Sequence, residues 1–144
     1  MSRDWVLDIK EMHKHYSVHK AVEKLTGVQL LEFLKFRIRF LQEELKELED
    51  ATSPDDAIDA LIDLCVVAIG TLDAFNVDSY KAWDAVHKAN MAKEVGIKAT
   101  RPNPLGLPDL IKPKSWEAPS HVDNRSLLDF AFLEMWTAGT KITK

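Results

Sequence analysis

Residues 42–63 read Gln-Glu-Glu-Leu-Lys-Glu-Leu-Glu-Asp-Ala-Thr-Ser-Pro-Asp-Asp-Ala-Ile-Asp-Ala-Leu-Ile-Asp and hold nine acidic residues against one cation, Lys46. Glu43, Glu44 and Glu47 (E-E-x-x-E) fall three and four apart, so a helix turns their carboxylates the same way. Asp56, Asp59 and Asp63 repeat that spacing on the next predicted helix, and Gly70 continues their stripe. Thr52-Ser53-Pro54 between them reads as a turn and a helix start, with Ser53 as N-cap, Pro54 at the first helical position, and Asp55 and Asp56 in the first turn. So short a connection predicts an antiparallel helix hairpin. Folding it sets Glu47 opposite the first turns of the second arm, and Glu44 near Asp59 and Asp63.

The second arm is otherwise almost wholly apolar over residues 57–70, so Asp59 and Asp63 are expected in a packed interior. A buried carboxylate without a partner is costly, and a cation, a metal or a proton relieves it. One lysine cannot pair all of these acids. A divalent cation held between the two helices removes the contradiction, and hard oxygen ligands suit Mg²⁺ or Mn²⁺ rather than zinc. Asp55 and Asp56 also complement a helix N-terminus, and Glu43 can pair with Arg39 or Lys46 one turn away.

Working outward, the chain reads as helix after helix. A first segment runs from Trp5 to about Tyr16, and the first arm of the hairpin from about Val28 to Asp50, with Leu34, Ile38, Leu41, Leu45 and Leu48 at helical spacing. Phe33, Phe36 and Phe40 widen its apolar surface beyond one stripe, which suggests contacts with more than one partner, another subunit being one option. The second arm runs to about Phe75, and Asn76-Val77-Asp78 ends it. A fourth helix, capped by Asp78 or Ser79, is expected to end near Gly96 and pack back on the hairpin. Five prolines between Lys98 and Pro119 forbid a long helix there, while Leu110, Ile111 and Trp116 anchor an ordered arm. A final helix is expected over about Asn124–Thr137. These segments predict an all-α fold in a single domain over 1–144: a helical core (1–96), an extended arm (97–120) and a C-terminal helix (121–144).

Composition narrows the function classes. A hydrophobic content of 46% with 29% charged residues is that of a folded globular domain. A net charge of −4 disfavours a nucleic-acid surface, and no secretory signal is visible at the N-terminus. The longest apolar stretch, residues 60–75, is short for a bilayer and carries Asp63 and Asp73. Cys65 is the only cysteine, flanked by apolar residues and read as core, and a cytoplasmic, reducing location is expected.

On the fourth helix Asn90 shares a face with Trp83 and Val86, an amide where packing wants an aliphatic side chain. Lys93 follows nearly one turn later, within reach of a phosphate. Asp84 and His87 form a D-x-x-H pair, but a di-iron bundle wants two E-x-x-H motifs and this chain has none.

Three motifs in order, Q-E-E-L-K-E-L-E-D-A (42–51), D-A-L-I-D-L-C-V-V-A-I-G-T (59–71) and V-H-K-A-N-M-A-K (86–93), resemble the MazG-like, all-α nucleoside triphosphate pyrophosphohydrolase superfamily. The likeness is to its phage and phosphoribosyl-ATP-pyrophosphohydrolase-like branch. It covers about Asp8–Lys93, and P-D-L-I-K-P-K-S-W-E-A-P (108–119) echoes the family's downstream arm. One departure stands out. The family follows E-E-x-x-E with E-x-x-D, whereas this chain has D-x-x-D (Asp56, Asp59) or D-x-x-x-D (Asp59, Asp63), with Ala60 where a glutamate would precede Asp63.

The resemblance implies hydrolysis of a (d)NTP to the (d)NMP and pyrophosphate, with Mg²⁺ or Mn²⁺ held by Glu44, Glu47, Asp59 and Asp63. A water at the cation would be the nucleophile and Glu43 or Glu44 the base. Lys93 and Lys112 would hold phosphate oxygens, and Asn90 phosphate or sugar. Trp5, Met12, His13, Tyr16 and Trp83 are candidates for the base pocket. Phage members point to a deoxynucleotide, a purine such as dGTP, and the family implies a homodimer or homotetramer. Two other classes compete: a non-catalytic helical interaction module, and a ferritin-like metal-binding bundle.

Overall fold

Thr26 opens the longest helix with a capping box: its Oγ1 accepts from the Gln29 amide, and the Gln29 side-chain oxygen accepts from the Thr26 amide. Helix α3 (Gly27–Glu49) then runs 23 residues to the turn. Across that turn Ser53 Oγ accepts from the Asp56 amide at 3.1 Å and Pro54 occupies the first position of α4 (Pro54–Ala74), the N-terminus expected from the sequence. Helix α4 ends in a Schellman motif. Asn76 adopts φ 58°, its amide donates to Asp73 O, and the Val77 amide donates to Leu72 O.

The computed structural model describes residues 3–139; residues 140–144, the tail of the expected C-terminal segment, lie outside the described residues, as do 1–2. The fold is all-α, with six helices and one short antiparallel ribbon among the described residues. Besides α3 and α4 these are α1 (Trp5–His15), α2 (Val18–Val22), α5 (Ser79–Met91) and α6 (Leu128–Ala138).

The chain divides into two compact units, residues 1–79 with 125–144, and residues 80–124. In the first, α3 packs against α4 on one flank and α6 on another, and α1 lies along α4. Leu30, Leu31, Leu34, Val67, Ala74, Phe75 and Ala131 form its core, with Phe75 fully buried. The Leu127 amide donates to Phe75 O, which ties the start of α6 to the end of α4.

The second unit holds most of α5 and a ribbon of β1 (Glu94–Gly96) and β2 (Asp109–Ile111), paired Glu94↔Ile111, Val95↔Leu110 and Gly96↔Asp109. The expected fourth helix therefore stops at Met91 and its last residues become a strand. Gly96 packs under Ile111, where a Cβ would meet the Ile111 side chain at 2.7 Å. Such close approach suits a glycine and a strand rather than a further helical turn. The last helix starts at Leu128, later than expected, because Ser126 takes a left-handed φ of 47°.

Candidate active site

Three acids of the hairpin, Glu43, Glu47 and Asp63, act on a fourth, Glu44. Glu44, on the last turns of α3, is half-buried, and its Oε2 is fully covered yet has no hydrogen-bond partner among the described residues. Burial raises its pKa above the ordinary carboxylate value, and the charges of Glu47, Asp63 and Glu43 raise it further. Glu44 is therefore the point where the acids of α3 and α4 meet.

Asp59 and Asp63 are exposed, not drawn into the interior as their apolar neighbourhood suggests. The reason lies in how α4 is covered. Helix α3 takes one flank and α1 another, leaving a strip with Ile58, Leu61 and Ile62 open at 58%, 50% and 45% exposure. The aspartates stand at the edge of that strip. Glu43 and Glu47 are exposed on α3, and the nearby cation is engaged elsewhere, since Lys46 pairs with Asp50 at 2.9 Å. Asp56 is exposed in the first turn of α4, where its amide completes the Ser53 cap.

A covered carboxylate oxygen without a donor, ringed by like charges, is what an oxygen-ligated divalent cation would satisfy. Glu44, Glu47 and Asp63 offer oxygen donors of the kind such an ion takes, and the charges that reach Glu44 are those of Glu47, Asp63 and Glu43, with Asp59 not among them.

A second cluster was not legible from the sequence. Asp73, on the last turn of α4 and 1% exposed, accepts from Lys10 Nζ at 2.7 Å on one oxygen. On the other it meets His13 Nδ1 at 2.7 Å and His19 Nε2 at 2.8 Å. Burial raises the Asp73 pKa, but the hydrogen bonds from Lys10, His13 and His19 together outweigh it and the net shift is downward. An ionised carboxylate only accepts, so both imidazole nitrogens carry their protons toward it. The ligand atoms of His13, His19 and Asp73 lie within 4.8 Å of one another, close enough that the group could bind a metal. The Lys10 ammonium already neutralises the carboxylate, which favours the hydrogen-bonded clasp. Beside it Arg37 Nε donates to Thr71 Oγ1 and Nη2 to Val67 O, and burial lowers the Arg37 pKa. The signal in the sequence was Asp73 itself, a carboxylate in an apolar helix end that needs a cationic partner.

The base-pocket candidates separate. His13 is committed to Asp73, whereas Met12 and Tyr16 are exposed on the same stretch, Tyr16 with its ring edge against His15. Trp5 borders a cavity of about 210 Å³ between α1 and α4, lined also by Asp8, Ile9, Ile62, Cys65, Val66 and Ile69. Trp83, exposed, belongs to the second unit with Asn90, Lys93 and Lys112. There Asn90 is half-buried, and Lys93 and Lys112 both lie over the Trp116 ring, at 5.4 and 4.6 Å from its centroid.

The class is that of the MazG-like all-α nucleoside triphosphate pyrophosphohydrolases, the superfamily in which the matching family model lies. The family model for phosphoribosyl-ATP pyrophosphohydrolase matches residues 18–90, half of the chain, and the chain belongs to that family. It is a hydrolase acting on phosphoanhydride bonds. No curated protein and no solved structure gave a significant match. No helix among the described residues is long and apolar enough to cross a membrane.

Proposed function

We propose that this pyrophosphohydrolase converts a (d)NTP to the (d)NMP and pyrophosphate at the Glu44 site. The observation that carries the reading is the covered, donorless Oε2 of Glu44 among Glu47, Asp63 and Glu43. Mg²⁺ or Mn²⁺, which Glu44, Glu47, Asp59 and Asp63 would hold, would supply the positive charge that a triphosphate needs in order to approach so many carboxylates.

The chain's own residues do the rest. Glu43 or Glu44 takes the proton of the attacking water as its oxygen closes on phosphorus and the bond to the pyrophosphate oxygen breaks. The resemblance offers Lys93 and Lys112 for phosphate oxygens, and Asn90 for phosphate or sugar. For the base, the cavity beside Trp5 favours that residue among the candidates, because its apolar walls suit a flat ring and His13 is already bonded. The resemblance to phage members favours a purine deoxynucleotide such as dGTP, and a role in phage nucleotide metabolism in the cytoplasm. The open strip of Ile58, Leu61 and Ile62, with Phe36 and Leu45 on α3, supports assembly of the hairpins into a homodimer or homotetramer.

A panel of NTPs and dNTPs with Mg²⁺ or Mn²⁺, read by pyrophosphate release in wild type and Glu47→Gln, tests the reading. Release from at least one nucleotide, lost in the variant, is expected. Absence of release from every nucleotide, or full activity in Glu47→Gln, would overturn it, and iron-dependent redox activity in its place would favour the ferritin-like alternative.

A further inference from the structure

The ribbon of the second unit brings two positive charges together. Glu94 pairs with Ile111, so one register position further out Lys93 and Lys112 face each other across the strands. Like charges directly opposite on a ribbon cost stability. Neither lysine has a carboxylate partner among the described residues. What both share is the indole of Trp116, with the ammonium groups 5.4 and 4.6 Å from the ring centroid.

Trp116 is itself held from two sides. Its amide donates to Pro113 O at 3.0 Å, closing a turn that folds the indole back toward Lys112. Its Nε1–H donates to Ala89 O at 2.7 Å. Ala89 lies in the last turn of α5, where carbonyls have no partner within the helix, so the indole caps the helix end from which Lys93 departs. The ring position is thus fixed by two segments, and the ring in turn fixes both lysines.

We propose that Trp116 is a positioning residue that holds Lys93 and Lys112 as a preorganised clamp for the oxygens of a di- or triphosphate. A ring face attracts each ammonium without neutralising it, so the pair keeps its charge for an anion while losing little side-chain freedom on binding. The inference rests on the phosphate-binding role given above to the two lysines, and it adds the residue on which their geometry depends.

Titration of the full chain with inorganic pyrophosphate in EDTA and low salt, followed by calorimetry, reads the clamp without turnover and without a cation at the carboxylates. Trp116→Leu should weaken the dissociation constant about tenfold, the loss of two cation–π contacts. Trp116→Phe, which keeps a ring face but loses the Nε1–H bond to Ala89 O, should recover part of it. In the turnover assay the same Leu variant should raise KM for the nucleotide with kcat little changed. An unchanged pyrophosphate affinity in Trp116→Leu, or a Phe variant as weak as the Leu variant, would overturn the clamp. If a lowered kcat at unchanged KM replaced the KM effect, the clamp would fall as well. Glu47→Gln separates this from the carboxylate site: its pyrophosphate affinity should match wild type even where its turnover is lost.

Discussion

His13 Nδ1 and Asp73 Oδ2 lie 2.7 Å apart in the interior of the first unit, joining α1 to the end of α4 across 60 residues of sequence. The same carboxylate binds Lys10 and His19, so three side chains from α1 and α2 depend on one acid. Removing the acid strands them. Asp73→Ala should therefore cost about 3 kcal/mol, the range for breaking a buried charged pair on one side. Urea unfolding of the full chain checks it, and a loss below about 1 kcal/mol would mean that water replaces the carboxylate freely.

The clasp also sets a pH dependence. A carboxylate whose folded pKa is depressed contributes fully above its unfolded value, here 3.8, and that contribution disappears as pH falls through the lower folded value. Stability should accordingly fall steeply as pH drops from about 4 toward 2. Asp73→Asn should flatten that part of the profile. Urea midpoints measured across the range would refute this by showing parallel profiles for the two proteins.

At Glu44 the acids work against the fold, because a covered carboxyl sits among Glu47, Asp63 and Glu43. Glu44→Gln removes one charge from that group. In EDTA the variant should melt at a higher temperature than wild type, and addition of Mn²⁺ should raise the wild-type Tm but not that of the variant. Differential scanning calorimetry with and without the ion decides. A variant that melts lower in EDTA would show that the charge crowding is not felt.

Gly70 lies where α4 passes Arg37 and His13. A Cβ there would meet Arg37 Nη2 at 2.9 Å and His13 Nε2 at 3.3 Å. The guanidinium is held by Val67 O and Thr71 Oγ1, so it cannot simply swing aside. Gly70→Ala should lower stability by about 1 kcal/mol, strain exceeding the gain of about 1 kcal/mol that alanine brings in a helix interior. Thermal unfolding that shows a rise in Tm instead would mean the Arg37 side chain repacks at no cost.

The hairpin was readable because its signals are local. Ser53-Pro54 announces a helix start, Asn76 a helix end, and the spacing of Glu43, Glu44 and Glu47 needs only the pitch of a helix. The inward placement expected of Asp59 and Asp63 failed for a related reason: an apolar sequence reports what α4 wants to cover, not whether a single chain supplies the cover. His13 was open to a base-binding role because nothing near it in sequence names its partner. Lys93 and Lys112 were each readable as cations, while the ribbon that sets them face to face over Trp116 depends on a fold-back through residues 97–108.

Sequence by itself thus determined the two hairpin helices, the Ser53 cap between them, the acid stripes on α3 and α4, and through three ordered motifs the family. These follow from backbone preference and residue spacing within a few turns. Tertiary structure decided which acid is covered, that Asp73 rather than any surface group ties α1 and α2 to α4, and that one indole carries two lysines. Burial and the pairing of charges distant in sequence are set by which surfaces meet, and only the packed chain brings those surfaces together.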